Sequence, residues 1–211
     1  MKVRLVLLPA ICILALPVLA YSQWIQSGSP VSTAANAQQY PRAVSDGAGG
    51  VITVWHDLRG ADMNLYAQRI DANGVPLWAM DGVPISTAAG DQELPNIVSD
   101  GAGGAIIVWD DSRAGLGLYD IYAQRVNANG TALWAANGVV ICNAINIQNE
   151  PAIVSDGVGG AIMAWRDTRN DPINTDVYAQ RVNGSGVVQW VANGRSVCVA
   201  AGSQVSVQMA T

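Results

Sequence analysis

Three Asp/Arg pairs are the residues of this sequence best equipped for chemistry. Asp57 and Arg59, Asp111 and Arg113, and Asp167 and Arg169 each lie in a Trp-x-Asp-x-Arg segment, headed by Trp55, Trp109 and Trp165. A carboxylate two residues from a guanidinium suits either of two jobs. One is a polar rim that binds a glycan or a peptide carboxylate. The other is an ion pair, within or between repeats, that satisfies a strand end, with a Tyr and a Gln of the next strand as neighbours. The structural role is the favoured expectation, because positions that recur in every repeat mostly build the shared core, and a site needs asymmetry. A second candidate is the run of oxygen donors Asp167, Asp171, Asn174 and Asp176. Calcium takes about six to eight oxygens, and nothing in the spacing fixes the geometry of these four.

Other chemistries find little material. His56 is the only histidine. Asp110 and Arg166 hold the matching place elsewhere, so it is expected to be exposed and is not read as a catalytic base. Ser/His/Asp, Cys/His and zinc constellations cannot be assembled from this inventory. A glycosidase needs two carboxylates at a defined separation, and among sixteen acidic residues no spacing singles out a pair. The Ser-Asp-Gly-x-Gly-Gly turns lack the Lys and the helix of a phosphate loop, so each Asp is expected to cap its own turn. No cofactor is assigned.

These residues sit in an internal repeat. Val44–Gly50 returns as Val98–Gly104 and, with one change, as Val154–Gly160. Tyr66-Ala67-Gln68-Arg69 returns at Tyr122 and Tyr178, and a second tryptophan follows at Trp78, Trp134 and Trp190. Pro41, Pro95 and Pro151 each precede the first tryptophan by 14 residues, and each tyrosine precedes the second tryptophan by 12. Only the step from the first tryptophan to the tyrosine varies, being 11 residues from Trp55 and 13 from Trp109 and Trp165. All length variation therefore lies in one loop.

Each unit predicts four short strands: the stretch before Ser-Asp-Gly, such as Pro95–Val98; the continuously apolar Ala105–Trp109, as when both faces are covered; Asp120–Val126; and a last strand carrying Leu133-Trp134. Gly- and Asn-rich turns separate them. Asn137-Gly138 marks a bend before Val139–Cys142. Four strands repeated at this spacing are a signature of propeller blades, with units at about 41–94, 95–150 and 151–206 and partial blades at 24–40 and 207–211. Trp24 keeps the register. The expected architecture is an all-β, β-propeller-like array of four-stranded antiparallel blades, read as the N-terminal part of a longer protein or an arc closed by assembly.

The motifs Val-Ser-Asp-Gly-x-Gly-Gly, Trp-x-Asp-x-Arg and Tyr-Ala-Gln-Arg together resemble the blade repeats of large secreted bacterial β-propeller proteins. That resemblance covers essentially all of residues 24–211. It implies the architecture and an extracellular setting, often alongside a cell-surface sorting domain, and it implies no assigned activity. The turn and tryptophan are also similar to the docking motif of quinoprotein propellers, but the cofactor and calcium ligands of those enzymes are missing here.

Composition agrees with export. Residues 1–20 read as a signal peptide, with Lys2 and Arg4 before an uncharged run from Leu5 to Ala20 that falls short of the roughly 20 residues a spanning helix needs. No later segment is long and apolar enough to enter a membrane. The net charge is −5, and beyond the signal segment every basic residue is an arginine, which disfavours nucleic acid. Cys142 and Cys198 occupy one repeat position, too far apart for a disulfide, so two separate buried thiols are expected. The chain is thus read as an exported, non-catalytic scaffold or binding module at the cell surface, in the medium or in the periplasm. Its blade loops would face a glycan or protein partner, or it would join further blades of a longer chain. The alternative is the N-terminal part of a secreted hydrolase or quinoprotein-like enzyme whose catalytic residues lie outside this chain.

Overall fold

The computed structural model describes residues 28–115 and 117–210. The expected signal segment and Trp24 lie outside them. Among these residues twelve strands form three four-stranded antiparallel sheets, each in chain order. Blade 1 comprises β1 (Gln38–Ser45), β2 (Val51–Asp57), β3 (Asn64–Ile70) and β4 (Val83–Ser86). Blade 2 comprises β5 (Gln92–Ser99), β6 (Ala105–Asp111), β7 (Asp120–Val126) and β8 (Val139–Cys142). Blade 3 comprises β9 (Gln148–Ser155), β10 (Ala161–Asp167), β11 (Asp176–Val182) and β12 (Arg195–Cys198). No described helix is long and apolar enough to cross a membrane.

One expectation about the strands is corrected. Leu133-Trp134 does not belong to the fourth strand. The chain makes a single bridge there, Val126 to Ala132, then turns through Trp134 and the Asn137-Gly138 bend before β8 begins. Trp78 and Trp134 instead reach across to the next blade, their indoles donating to the Ala128 and Gly184 carbonyls.

The apolar run of β6 is explained by two covered faces. Ile106 and Val108 pack with Ile121 and Ile141 against Ala161, Met163 and Trp165 of blade 3. Ala105, Ile107 and Trp109 face the other way, onto Ile52, Val54 and Leu65 of blade 1. All five of these β6 side chains are fully buried, each large one stabilising the joint by about 1.5–3 kcal/mol. Successive blades meet through first strands: β5 packs on β1, β2 and β3, and β9 on β5, β6 and β7. The first strands therefore line the inner side of the array.

The Asp-Gly-x-Gly-Gly turns close each first hairpin. Asp46 Oδ1 accepts from the Ala48 and Gly50 amides, both at 2.8 Å, and the same bonds recur at Asp100 and Asp156. The last glycine is dictated by crowding, since a Cβ on Gly50, Gly104 or Gly160 would run into a carbonyl of the third strand. Arg69 pairs with the free oxygen of Asp46 at 2.9 Å, as Arg125 does with Asp100 at 2.9 Å and Arg181 with Asp156 at 2.8 Å.

Candidate functional site

The three Asp/Arg pairs are built alike. Asp57 ends β2, and Arg59 lies beyond the strand and folds back onto it, so the two do not share a strand face. Asp57 Oδ2 accepts from Trp55 Nε1 at 2.8 Å and Arg59 Nη2 at 2.6 Å, while Oδ1 accepts from Arg59 Nε at 2.8 Å and the Arg59 amide at 2.9 Å. The guanidinium stacks 3.7 Å above the Tyr66 ring and donates to the Asp81 carbonyl at 2.8 Å. Asp111/Arg113 uses Trp109, Tyr122 and Asn137 in the same way. Asp167/Arg169 uses Trp165, Tyr178 and Asn193. All three carboxylates are fully buried. Burial opposes the charge on Asp57, and the bonds from Arg59 and Trp55 outweigh it, holding that carboxyl below its usual range.

Asymmetry appears one residue away. The central residue of Trp-x-Asp is His56, Asp110 or Arg166, paired across the sheet with Gln39, Glu93 and Asn149. His56 is not exposed, as expected from its variability, but 2 % accessible, because this position faces the joint between blades. Both of its ring nitrogens lack a partner, as do Asp110 Oδ1 and Arg166 Nε. Burial, with Arg42 nearby, pushes the imidazole down to about 4.

Beside this row the first strands bulge. Tyr40, Leu94 and Glu150 take φ of 51°, 48° and 54°, a left-handed conformation that bulky residues rarely adopt. A bulge re-aims the side chain at its centre, and all three are exposed, Tyr40 by 59 %. The charged end of the row lies between blades 2 and 3. Asp110 Oδ2 accepts from the Glu150 amide at 3.2 Å, and Glu150 Oε1 pairs with Arg166 Nη1 at 2.5 Å. Burial pushes the Asp110 carboxyl well above the usual range, with Glu93 and Glu150 adding to it. Burial and Asp91 raise Glu93 too, against the Tyr119 hydroxyl beside it. Glu150 also lines a cleft of about 190 Å³ with Arg42, Leu94 and Asn96.

Sequence reasoning missed this row. Its signal was present in the Trp-x-Asp-x-Arg alignment, where the first x changes from His to Asp to Arg, but variability there was taken as exposure.

The oxygen donors of the blade 3 loop bind one another instead. Asp171 accepts from the Ile173 amide and from Asn174 Nδ2, both at 2.8 Å, and Asp176 from Asn170 Nδ2 at 2.7 Å. Among the described residues no group of three or more His, Cys, Asp or Glu is arranged to hold a metal. The cysteines are separate free thiols. Cys142 is buried, its thiol pushed up to about 12 by burial, but Cys198 is only half-buried, because no following blade covers it among the described residues.

No family model matches the sequence, and no curated protein does. Among solved structures the chain is similar to an α-L-arabinofuranosidase from Fusarium graminearum, at 10 % identity over 76 % of this chain and 49 % of that one, with a TM-score of 0.49. It is also similar to an endo-1,4-β-xylanase from Bacteroides thetaiotaomicron, at 8 % identity over 81 % and 56 %, with a TM-score of 0.42. The chain spans about half the length of these structures.

Proposed function

We propose that this chain is an exported propeller-type binding module whose ligand sits at the inner, bulged ends of the first strands. The observation that carries this reading is the contrast within one motif. Trp, Asp and Arg repeat in every blade, whereas the residue between Trp and Asp differs each time and keeps unpartnered polar atoms each time, buried at His56 and Asp110 and half-buried at Arg166. Buried polar atoms without partners call for a water or a ligand. The exposed neighbours, Tyr40, Leu94 and Glu150, supply an aromatic face, an apolar edge and a carboxylate, and Tyr119 adds a hydroxyl. A surface mixing an aromatic ring with donors and acceptors suits a hydroxyl-rich ligand such as a glycan. Export rests on residues 1–20 of the sequence.

A glycan array with the purified chain, followed by calorimetry on the best hit, tests the reading. Tyr40→Ala and Glu150→Ala should each weaken binding about tenfold without shifting the melting point. Equal binding by both variants places the ligand elsewhere and overturns it.

One observation favours a hydrolytic second reading. Glu93 and Asp110 are cross-strand neighbours whose carboxyls are both pushed toward the protonated form, and two carboxyls in unlike environments can divide acid and base roles. Turnover of an aryl glycoside by the chain, lost in both Glu93→Gln and Asp110→Asn, would establish that reading in place of simple binding.

A further inference from the structure

Each joint between blades is locked by one carbonyl. The Ala128 carbonyl, in the turn after β7, accepts from Arg69 Nη1 at 3.1 Å and from Trp78 Nε1 at 3.0 Å, both in blade 1. The Gly184 carbonyl, in the turn after β11, accepts from Arg125 Nη1 at 2.9 Å and Trp134 Nε1 at 3.1 Å of blade 2. The tryptophan ring lies over the glycine of the same turn, so that a Cβ on Gly130 or Gly186 would stand 2.9 or 2.8 Å from it. Blade 3 carries the same clamp in Arg181 and Trp190. Arg181 Nη1 and Trp190 Nε1 have no acceptor among the described residues, and the Arg181 side chain is 37 % exposed against 16 % and 17 % for Arg69 and Arg125.

A second half-finished structure lies beside that clamp. Residues 204–210 follow the course of a first strand. The Gln204 amide donates to the Thr175 carbonyl at 2.7 Å, as Gln92 does to Met63 and Gln148 to Tyr119, both at 2.8 Å. Ser206 takes φ of 61° where Leu94 and Glu150 bulge. Val207 shares a cleft with Pro151 and Ala152 of β9. In each blade this strand pairs with an apolar second strand, yet 204–210 has no strand partner among the described residues.

We propose that this end of the array is a docking site for a blade-type β-hairpin in which an Asx-x-x-Gly turn follows the second strand. One such element completes both features at once. Its first strand pairs along Gln204–Ala210 as β6 pairs along β5, giving main-chain hydrogen bonds by strand addition. Its turn then delivers a carbonyl to Arg181 and Trp190 and a glycine beneath the indole. Blades 1 and 2 define the partner's chemistry: an apolar strand such as Ala105–Val108, a second strand, and the turn Asn127–Gly130.

A synthetic peptide spanning residues 105–130 of this chain is the probe. Titrated into the full chain, it should bind with 1:1 saturation and slow amide hydrogen exchange over residues 204–210. Trp190→Phe keeps the ring but removes the indole N–H, and should weaken binding about fivefold. Arg181→Ala should weaken it about tenfold, since it removes a charged donor. Trp190→Phe leaves the Arg181–Asp156 pair intact, which separates loss of the clamp from loss of the fold. No saturable binding, protection over β5 or β9 instead of 204–210, or equal affinity of both variants would overturn the proposal.

Discussion

The Asp/Arg cassette and the row beside it are separated by a single residue and follow opposite rules. In the cassette, each carboxylate has the same tryptophan and arginine donors in all three blades, down to the carbonyl beneath the guanidinium. In the row, His56, Asp110 and Arg166 share a position but no partner in common, and Arg166 is only half-buried where His56 and Asp110 are buried. A position held to one solution three times serves the blade. A position that takes three unlike charged or polar side chains, each incompletely bonded, is free of that duty. The physical difference lies in which side of β2, β6 or β10 the residue occupies: Trp and Asp share one side, where Trp109 packs toward the preceding blade, and the residue between them lies on the other, which for His56 and Asp110 is the side of the following blade.

The largest expected effect tests the cassette. Asp111→Ala leaves Arg113 and the Trp109 indole without their acceptor inside the fold, and removing one partner of a buried pair costs about 3–5 kcal/mol. Denaturant unfolding should show that loss at Asp111, and comparable losses at Asp57→Ala and Asp167→Ala. One insensitive blade would break the comparison, because it would mark a cassette that has left its structural role.

A smaller effect tests the joints. Gly130 sits at φ 82° under the Trp78 ring, so Gly130→Ala meets both backbone strain and a clash, costing about 1–3 kcal/mol. Gly101→Ala, with nothing within 4 Å of the added carbon and a similar positive φ, should pay only the backbone part. Equal midpoints for the two variants in thermal unfolding would remove the indole from the account of the joint.

The architecture was legible because it is written three times. Turn glycines, apolar second strands and invariant spacings each have one physical cause, and repetition separates them from accident. The buried Asp/Arg pair could be read in the same way, from recurrence alone. The row could not, because its cue is a departure from recurrence, and sequence alone does not tell an exposed position that drifts from a buried one that faces a joint. The place of Trp134 was missed for a related reason. Periodicity assigns a residue to a strand, but the bond from its indole to Gly184 spans 50 residues and has no local signal.

Charge in the row should be visible in the pH dependence of stability, with opposite signs at two of its members. Asp110 is held more protonated in the fold than in the unfolded chain, so its contribution is full below the ordinary carboxylate range, near about 3.9, and is lost as pH rises through its folded value. His56, pushed down to about 4, contributes fully above about 6.5 and loses that contribution as pH falls toward 4. Asp110→Asn should therefore remove a decline in stability that sets in as pH rises above about 3.9, and His56→Gln one that sets in as pH falls below about 6.5. The same slope in both variants as in the parent chain would show that neither group is buried in the form described.

The smallest stability effect is expected where the functional claim is strongest. Glu150 pairs with Arg166, but its side chain is 43 % exposed, and an ion pair open to water contributes at most about 1 kcal/mol. Glu150→Ala should thus barely move the unfolding midpoint, in contrast to Asp111→Ala in the neighbouring blade. Its main-chain amide, which donates to Asp110, survives the substitution, so the buried carboxyl keeps its one partner. If the row is a ligand surface, this variant separates binding from folding: unchanged stability together with weakened affinity for the array hit. A loss of several kcal/mol would instead make Glu150 part of the joint between blades 2 and 3, and the row would have to be counted with the cassette as construction.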